Sequence, residues 1–119
     1  MSIKSKLRKA RNQYIIKKVR NIKLPDFKDD EVVRYRCLLS GKLQHRGLRL
    51  ETEHLVHRLK LTGYIKNKPL GEIELEIQGP SDKDIYLIEH ILKIRRIWVK
   101  DHKQELIPVD SKESTFELI

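Results

Sequence analysis

Thiol chemistry is nearly absent from this chain: of 119 residues, one is cysteine, Cys37. A lone thiol closes no internal disulfide, so a reducing cytoplasm is the expected setting. Placed among apolar strand residues, it reads as core filler rather than as a nucleophile. Aromatics are also few, with four Tyr, two Phe and one Trp. They are too scattered to build a base-stacking sheet, and Trp98 reads as a packing residue. No apolar run approaches the ~20 residues that span a bilayer, and no signal-peptide apolar segment follows the basic start. Walker loop, CxxC pair and Ser-His-Asp arrangement are all missing, as are internal repeats and low-complexity tracts. His54 and His57 stand three apart without a third ligand, and with Glu51 and Glu53 they read as an ordinary charged helix face. His90 and His102 read as isolated. Neither a metal ion nor an organic cofactor is expected.

The most uneven absence is that of acid from the start of the chain. Residues 1–25 hold nine lysines and arginines and no aspartate or glutamate, while the other 17 basic residues match the 17 acids. The net charge of +9 therefore belongs to an N-terminal extension, and the main domain gives no electrostatic reason to bind nucleic acid. The extension is helical in period: Ile3, Leu7, Ala10 and Tyr14 form one stripe, and Ile15, Val19 and Ile22 an adjacent one. Such a basic amphipathic helix can lie on acidic lipid, contact RNA or another protein, or dock on its own domain. The last is the favoured expectation, and a presequence role is a minor one. Leu24-Pro25-Asp26 breaks the period. The expected division is residues 1–30 as extension and linker and 31–119 as one domain.

From Glu31 the period changes to two. Val33, Tyr35, Cys37 and Leu39 alternate with Arg34, Arg36 and Ser40, which predicts a half-buried strand. Over 49–60 helical spacing returns, with Leu48, Thr52, Leu55 and Leu59 as the buried stripe and Gly63 as a helix-end or turn residue. LTGYIKN reads as a strand, KPLG as a turn and GEIELEIQG as an alternating strand with Ile73, Leu75 and Ile77 inward. Ser81 and Asp84 imitate a capping box before a helix whose predicted stripe is Ile85, Ile88 and Leu92. RRIWVK is predicted as a strand, residues 101–114 as a loop and TFELI as a short closing strand. The fold class is α+β: a ferredoxin-like β-α-β-β-α-β sandwich, two helices on one face of an antiparallel sheet, with an extra edge strand and the basic N-terminal helix. Pairing the first strand with the third sets Arg34 and Arg36 opposite Glu72, Glu74 and Glu76. That helix-free face is also one on which the N-terminal helix could dock.

GKLQHRGLR at 41–49, GYIKN at 63–67 and the IQGP turn at 77–80 together resemble the acylphosphatase family. Its members carry G-[KR]-V-Q-G-V-x-[FY]-R, then G-[WY]-V-x-N, then a Q-G-P turn, in this order and spacing. The resemblance covers about residues 33–119. It implies hydrolysis of small acyl phosphates to carboxylate and phosphate. Arg49 would grip the phosphoryl group, Asn67 would orient the water, and the amides of Gln44, His45, Arg46, Gly47 and Leu48 would cradle the phosphate oxygens. Acyl phosphate or inorganic phosphate is the implied ligand, a monomer is expected, and nucleic acid enters only through residues 1–25. The departures fall in the loop: His45-Arg46 stands where the family has Gly-Val, and the glycine comes two places later, at Gly47. Leu48 replaces an aromatic, Lys68 a threonine and Leu70 the turn aspartate. The alternative is a catalytically weak module of the same fold that binds an anion, or uses its basic helix to meet RNA, acidic lipid or protein.

Overall fold

A computed structural model describes residues 2–119. Helix α1 (Ile3–Arg20) leads through an extended linker to β1 (Val32–Lys42), α2 (Leu48–Leu59) and β2 (Thr62–Asn67). A short 3-10 turn, Pro69–Gly71, then joins β2 to β3 (Ile73–Pro80), followed by α3 (Ser81–Leu92), β4 (Trp98–Ile107) and β5 (Phe116–Leu118). The strand order is β4-β1-β3-β2-β5. The first four strands pair antiparallel, while β5 lies parallel to β2. This is the ferredoxin-like frame with one added edge strand, and that strand makes the sheet mixed.

The period-2 reading of β1 and β3 places the core. Cys37 and Leu39 pair with Leu75 and Ile73, and all four are buried, together with Ile65 and Ile77. Leu48, Thr52, Leu55 and Leu59 of α2 close over them as the helical spacing predicts. Each fully buried aliphatic side chain stabilises by about 1.5–3 kcal/mol. Burial also pushes the Cys37 thiol up to about 12, so it is a packing group rather than a nucleophile.

Helix α3 turns a different face inward from the one predicted. Leu87, Ile88 and Ile91 are buried with Asp84, whereas Ile85 and Leu92 stay more than a third exposed. No capping box forms: Ser81 is already helical, its N–H is donated to the Glu31 carbonyl at 3.0 Å, and Pro80 holds the cap position. Leu87 and Ile91, at i, i+4, fall on the buried face. Gly63 is likewise no helix end. Lys60, in the left-handed region, ends α2, and Gly63 sits inside β2 at φ 136, where a Cβ would meet the Glu76 carbonyl oxygen at 2.0 Å. Only glycine allows β2 that close to β3.

The predicted loop at 101–114 is half strand. β4 continues to Ile107 and pairs along β1 from Lys42↔Trp98 to Arg34↔Ile107. As an edge strand it is mostly exposed, so little apolar alternation marks it. Trp98 stands on that edge, 55% exposed, and does not pack in the core.

The helix-free face of the sheet is closed by charge rather than by α1. Arg34 Nε donates to Glu76 at 2.9 Å, and its two terminal nitrogens grip both oxygens of Glu113 at 2.7 and 3.0 Å. Gln78 and the Asp110 backbone bond reciprocally at 2.8 and 3.0 Å, which lays the segment after β4 across the sheet and delivers β5 to the edge of β2. Arg36 reaches Glu74 at 2.6 Å, and the Tyr64 hydroxyl donates to Glu76 at 2.7 Å. Burial, then the Glu76 bond, holds the Tyr64 phenol protonated well above its ordinary range. Helix α1 packs instead on α2, sinking Ile15 and Val19 into the core. Arg58 of α2 donates to the Val19 and Ile22 carbonyls at 2.8 and 2.5 Å, which satisfies the end of α1.

Two stability predictions follow from these burials. Arg34→Met strands two carboxylates on a covered face and is expected to cost about 2–4 kcal/mol, with little salt dependence. Arg36→Met, removing a half-exposed partner, is expected to cost less and to depend more on salt; urea melts at low and high salt compare the two. Asp84 is wholly buried, with no charged or side-chain partner for its carboxyl and only the Gly79 backbone beside it. Burial, then the charge of Asp82, pushes its pKa from 3.8 up to about 8. The folded chain thus holds a proton that the unfolded chain has lost, and this term destabilises increasingly as pH rises from 3.8 to about 8. Asp84→Asn is therefore expected to gain stability over wild type across that window, reaching about 1–2 kcal/mol near neutral pH and levelling above it.

Candidate active site

β1 ends at Lys42, buried Leu43 follows, and the chain must then reverse into α2 within residues 44–47. Two left-handed residues accomplish this, His45 at φ 63 and Gly47 at φ 78. For histidine that conformation costs about 1 kcal/mol. Gly47 caps α2 without a side-chain hydrogen bond, so the cap residue leaves the first-turn N–H groups untouched. Its lack of a Cβ has a second use: an added methyl would lie 2.4 Å from Cδ1 of Ile15 on α1. The displaced glycine is thus where α1 crosses the loop.

Side chains hold the turn from three directions. Gln44 Nε2 donates to the Lys68 and Glu72 carbonyls at 2.8 and 3.0 Å, fastening the turn to the β2–β3 connection that follows Asn67. Arg11 of α1 donates to the His45 carbonyl at 2.9 Å. Arg96, before β4, donates through Nε to the Arg46 carbonyl at 3.0 Å and through a terminal nitrogen to Glu51 at 2.6 Å. Glu51 is wholly buried and takes a second bond, from His90 Nε2, at 2.6 Å. Burial alone would raise the Glu51 carboxyl, but the bonds from His90 and Arg96 outweigh it and hold the pKa below the usual range. Glu51 and His90 are therefore not the free surface groups that the sequence suggests.

Between the turn, α2 and β2 lies a cavity of about 210 Å³. Buried Leu43, Leu48 and Ile73 form its apolar base; Gln44, His45, Gly47, Arg49 and Asn67 line it further, with Arg11 and Asn12 from α1. Arg49 Nε and Asn67 Oδ1 are both buried and without a hydrogen-bond partner in the protein. A donor and an acceptor, each costing about 1–3 kcal/mol if left unmade, thus share one concavity. Among the described residues no carboxylate lines it, whereas three basic residues do, Arg11, His45 and Arg49.

Of the residues singled out from the sequence, Gln44, His45, Gly47, Leu48, Arg49 and Asn67 meet at this cavity. The Arg46 side chain is exposed and outside it, and its carbonyl serves as the anchor for Arg96. Gly41 lies against the β4 backbone at a bulge in β1, away from the loop. Lys68 is also outside the lining, and its charge acts instead on Glu74. Arg11 and Asn12 were not visible as site residues. Their one signal is that Arg11 precedes Ile15 and Val19 by whole turns on one helix face, which says that Arg11 points toward the protein but not toward what.

The sequence profile of the acylphosphatase family matches residues 35–118. An acylphosphatase from Picrophilus torridus is 33% identical over 81 residues, covering 68% of this chain and 95% of its own. One from Clostridium beijerinckii is 28% identical over 88 residues, covering 73% and 98%. Among solved structures, an acylphosphatase from Coxiella burnetii superposes with a TM-score of 0.67 at 27% identity, over 74% of this chain and 93% of that one. The matched region takes in the turn, Arg49 and Asn67 and leaves out α1. With the sheet order, the loop-to-helix cavity and the profile in agreement, this chain belongs to the acylphosphatase family.

Proposed function

We propose that this chain hydrolyses small acyl phosphates at the cavity between the 44–47 turn and β2. The observation that carries the reading is the pair of unpartnered buried atoms, Arg49 Nε and Asn67 Oδ1, in one cavity with basic and no acidic lining. An acyl phosphate fits this chemistry. Its phosphoryl oxygens accept from Arg49 and from N–H groups of the turn and the first turn of α2. Asn67 Oδ1 accepts a hydrogen bond from a water and turns that water's lone pair toward phosphorus. The water oxygen bonds to phosphorus, the bond from phosphorus to the acyl oxygen breaks, and its electron pair leaves on the carboxylate. The water's protons remain with the phosphate product. Carboxylic acids have pKa values of about 4, so the leaving group departs as an anion and needs no proton donor. Positioning and charge stabilisation suffice, without a covalent intermediate. The family membership supports the same reaction.

A second reading draws on α1. Ile3 and Leu7 are 77% and 65% exposed on a helix without acid, a surface suited to RNA, acidic lipid or an acidic protein. On that reading the domain is a weak catalyst that serves as a binding module.

Hydrolysis of a synthetic acyl phosphate, followed by loss of the anhydride, tests the first reading. Arg49→Ala is expected to lower kcat/KM by about 10²–10³-fold and Asn67→Ala to lower kcat by about 10²-fold, both with wild-type folds. An inactive wild type, or equal rates in all three proteins, overturns it. Replacing Lys4, Lys6 and Lys9 by glutamate separates the second reading. Binding to anionic polymer or vesicles is expected to vanish there while hydrolysis stays unchanged.

A further inference from the structure

We propose that α1 is part of the phosphate site, with Arg11 as a positioning residue that sets the shape of the anion-binding turn. This rests on the reading of the cavity as a phosphate site. The matched family region begins at residue 35, so Arg11 lies outside it. All three of its guanidinium nitrogens are engaged, one with the His45 carbonyl at 2.9 Å and two with the Asn12 side chain at 3.2 and 3.3 Å. The bond to the His45 carbonyl couples Arg11 directly to the turn.

The physical consequence follows from peptide geometry. The described residues contain no cis peptide bond, so each carbonyl is opposed, across its plane, by the N–H of the next residue. Fixing the His45 carbonyl fixes the Arg46 N–H, and fixing the Arg46 carbonyl from Arg96 at 3.0 Å fixes the Gly47 N–H. Two consecutive donors of the turn are thereby set before any anion arrives, which is the preorganisation an anion-binding loop requires. The turn needs this help because it puts histidine, not glycine, at φ 63. Glycine at 47 then lets Ile15 approach closely enough for Arg11, one helical turn earlier, to reach the carbonyl. The loop departures and the extension are two halves of one device.

The test compares Arg11→Ala and Arg11→Lys with Arg8→Ala, which removes an exposed α1 charge outside the cavity lining. Inorganic phosphate is titrated while the Arg46 and Gly47 amides are followed by NMR, and acyl-phosphate hydrolysis is measured in parallel. Arg11→Ala is expected to weaken phosphate about 10-fold and raise KM by a similar factor, with kcat changed less than about 3-fold. Arg11→Lys, which keeps one donor for the carbonyl, is expected to recover most of the loss. Arg8→Ala is expected to match wild type. Phosphate affinity in Arg11→Ala equal to wild type, or an equal loss in Arg8→Ala, overturns the proposal. Unchanged amide positions in Arg11→Ala overturn it too. A wild type that binds phosphate without hydrolysing acyl phosphate overturns only the catalytic reading, because the clamp is then scored by binding. A wild type that binds no phosphate overturns both.

Discussion

The reversal of the chain between β1 and α2 is the constraint on which the functional part of the molecule depends. Residues 44–47 must turn a strand into a helix, and they do so through left-handed backbone at His45 and Gly47. Such a turn does not hold itself. Gln44 ties it to the β2–β3 connection, Arg96 to the buried Glu51, and Arg11 to α1. Each tie uses a side-chain donor on a backbone carbonyl, or runs through one. The cavity is in effect the space left when those carbonyls have been claimed.

The two faces of the sheet solve different problems. On the helix side, aliphatic burial supplies the stability, and α1 joins it with Ile15 and Val19. On the other side no helix is available, and Arg34, Glu76, Glu113, Gln78 and Asp110 lock a loop over the strands. That loop returns the chain to the edge of β2, the strand whose end carries Asn67. The polar face thereby braces the strand that carries Asn67 into the cavity lining. It also turns the strand carboxylates inward to partners, so the acidic outer pattern of β3 is an internal network rather than a bare charged surface.

Charge is sorted the same way. Glu51, in the first turn of α2, takes hydrogen bonds from both His90 and Arg96. The cavity thus keeps Arg49, His45 and Arg11 uncompensated by any lining carboxylate among the described residues. The excess of base on α1 adds to that field at its near end and projects into solvent at the other.

Period-2 alternation in β1 and β3, the Leu48–Leu59 stripe and the breaker residues were enough to order the elements, because these patterns report burial directly. GKLQHRGLR and GYIKN likewise marked Arg49 and Asn67 as a pair worth bringing together. The failures share one cause. β4 past Lys100, the inward face of α3 and the burial of Glu51 depend on a partner distant in sequence: the β1 edge, the sheet under α3, the Arg96 guanidinium. Local periodicity carries no signal of such partners. The sequence alone determined the fold class, the core faces of β1, β3 and α2, and the confinement of the excess positive charge to residues 1–25. Only tertiary packing decided that the basic helix lies on α2, that Gly47 makes room for Ile15, and that Arg11 ends on the His45 carbonyl. Those outcomes come from shape and hydrogen bonding between segments some 30 residues apart, which no local pattern encodes.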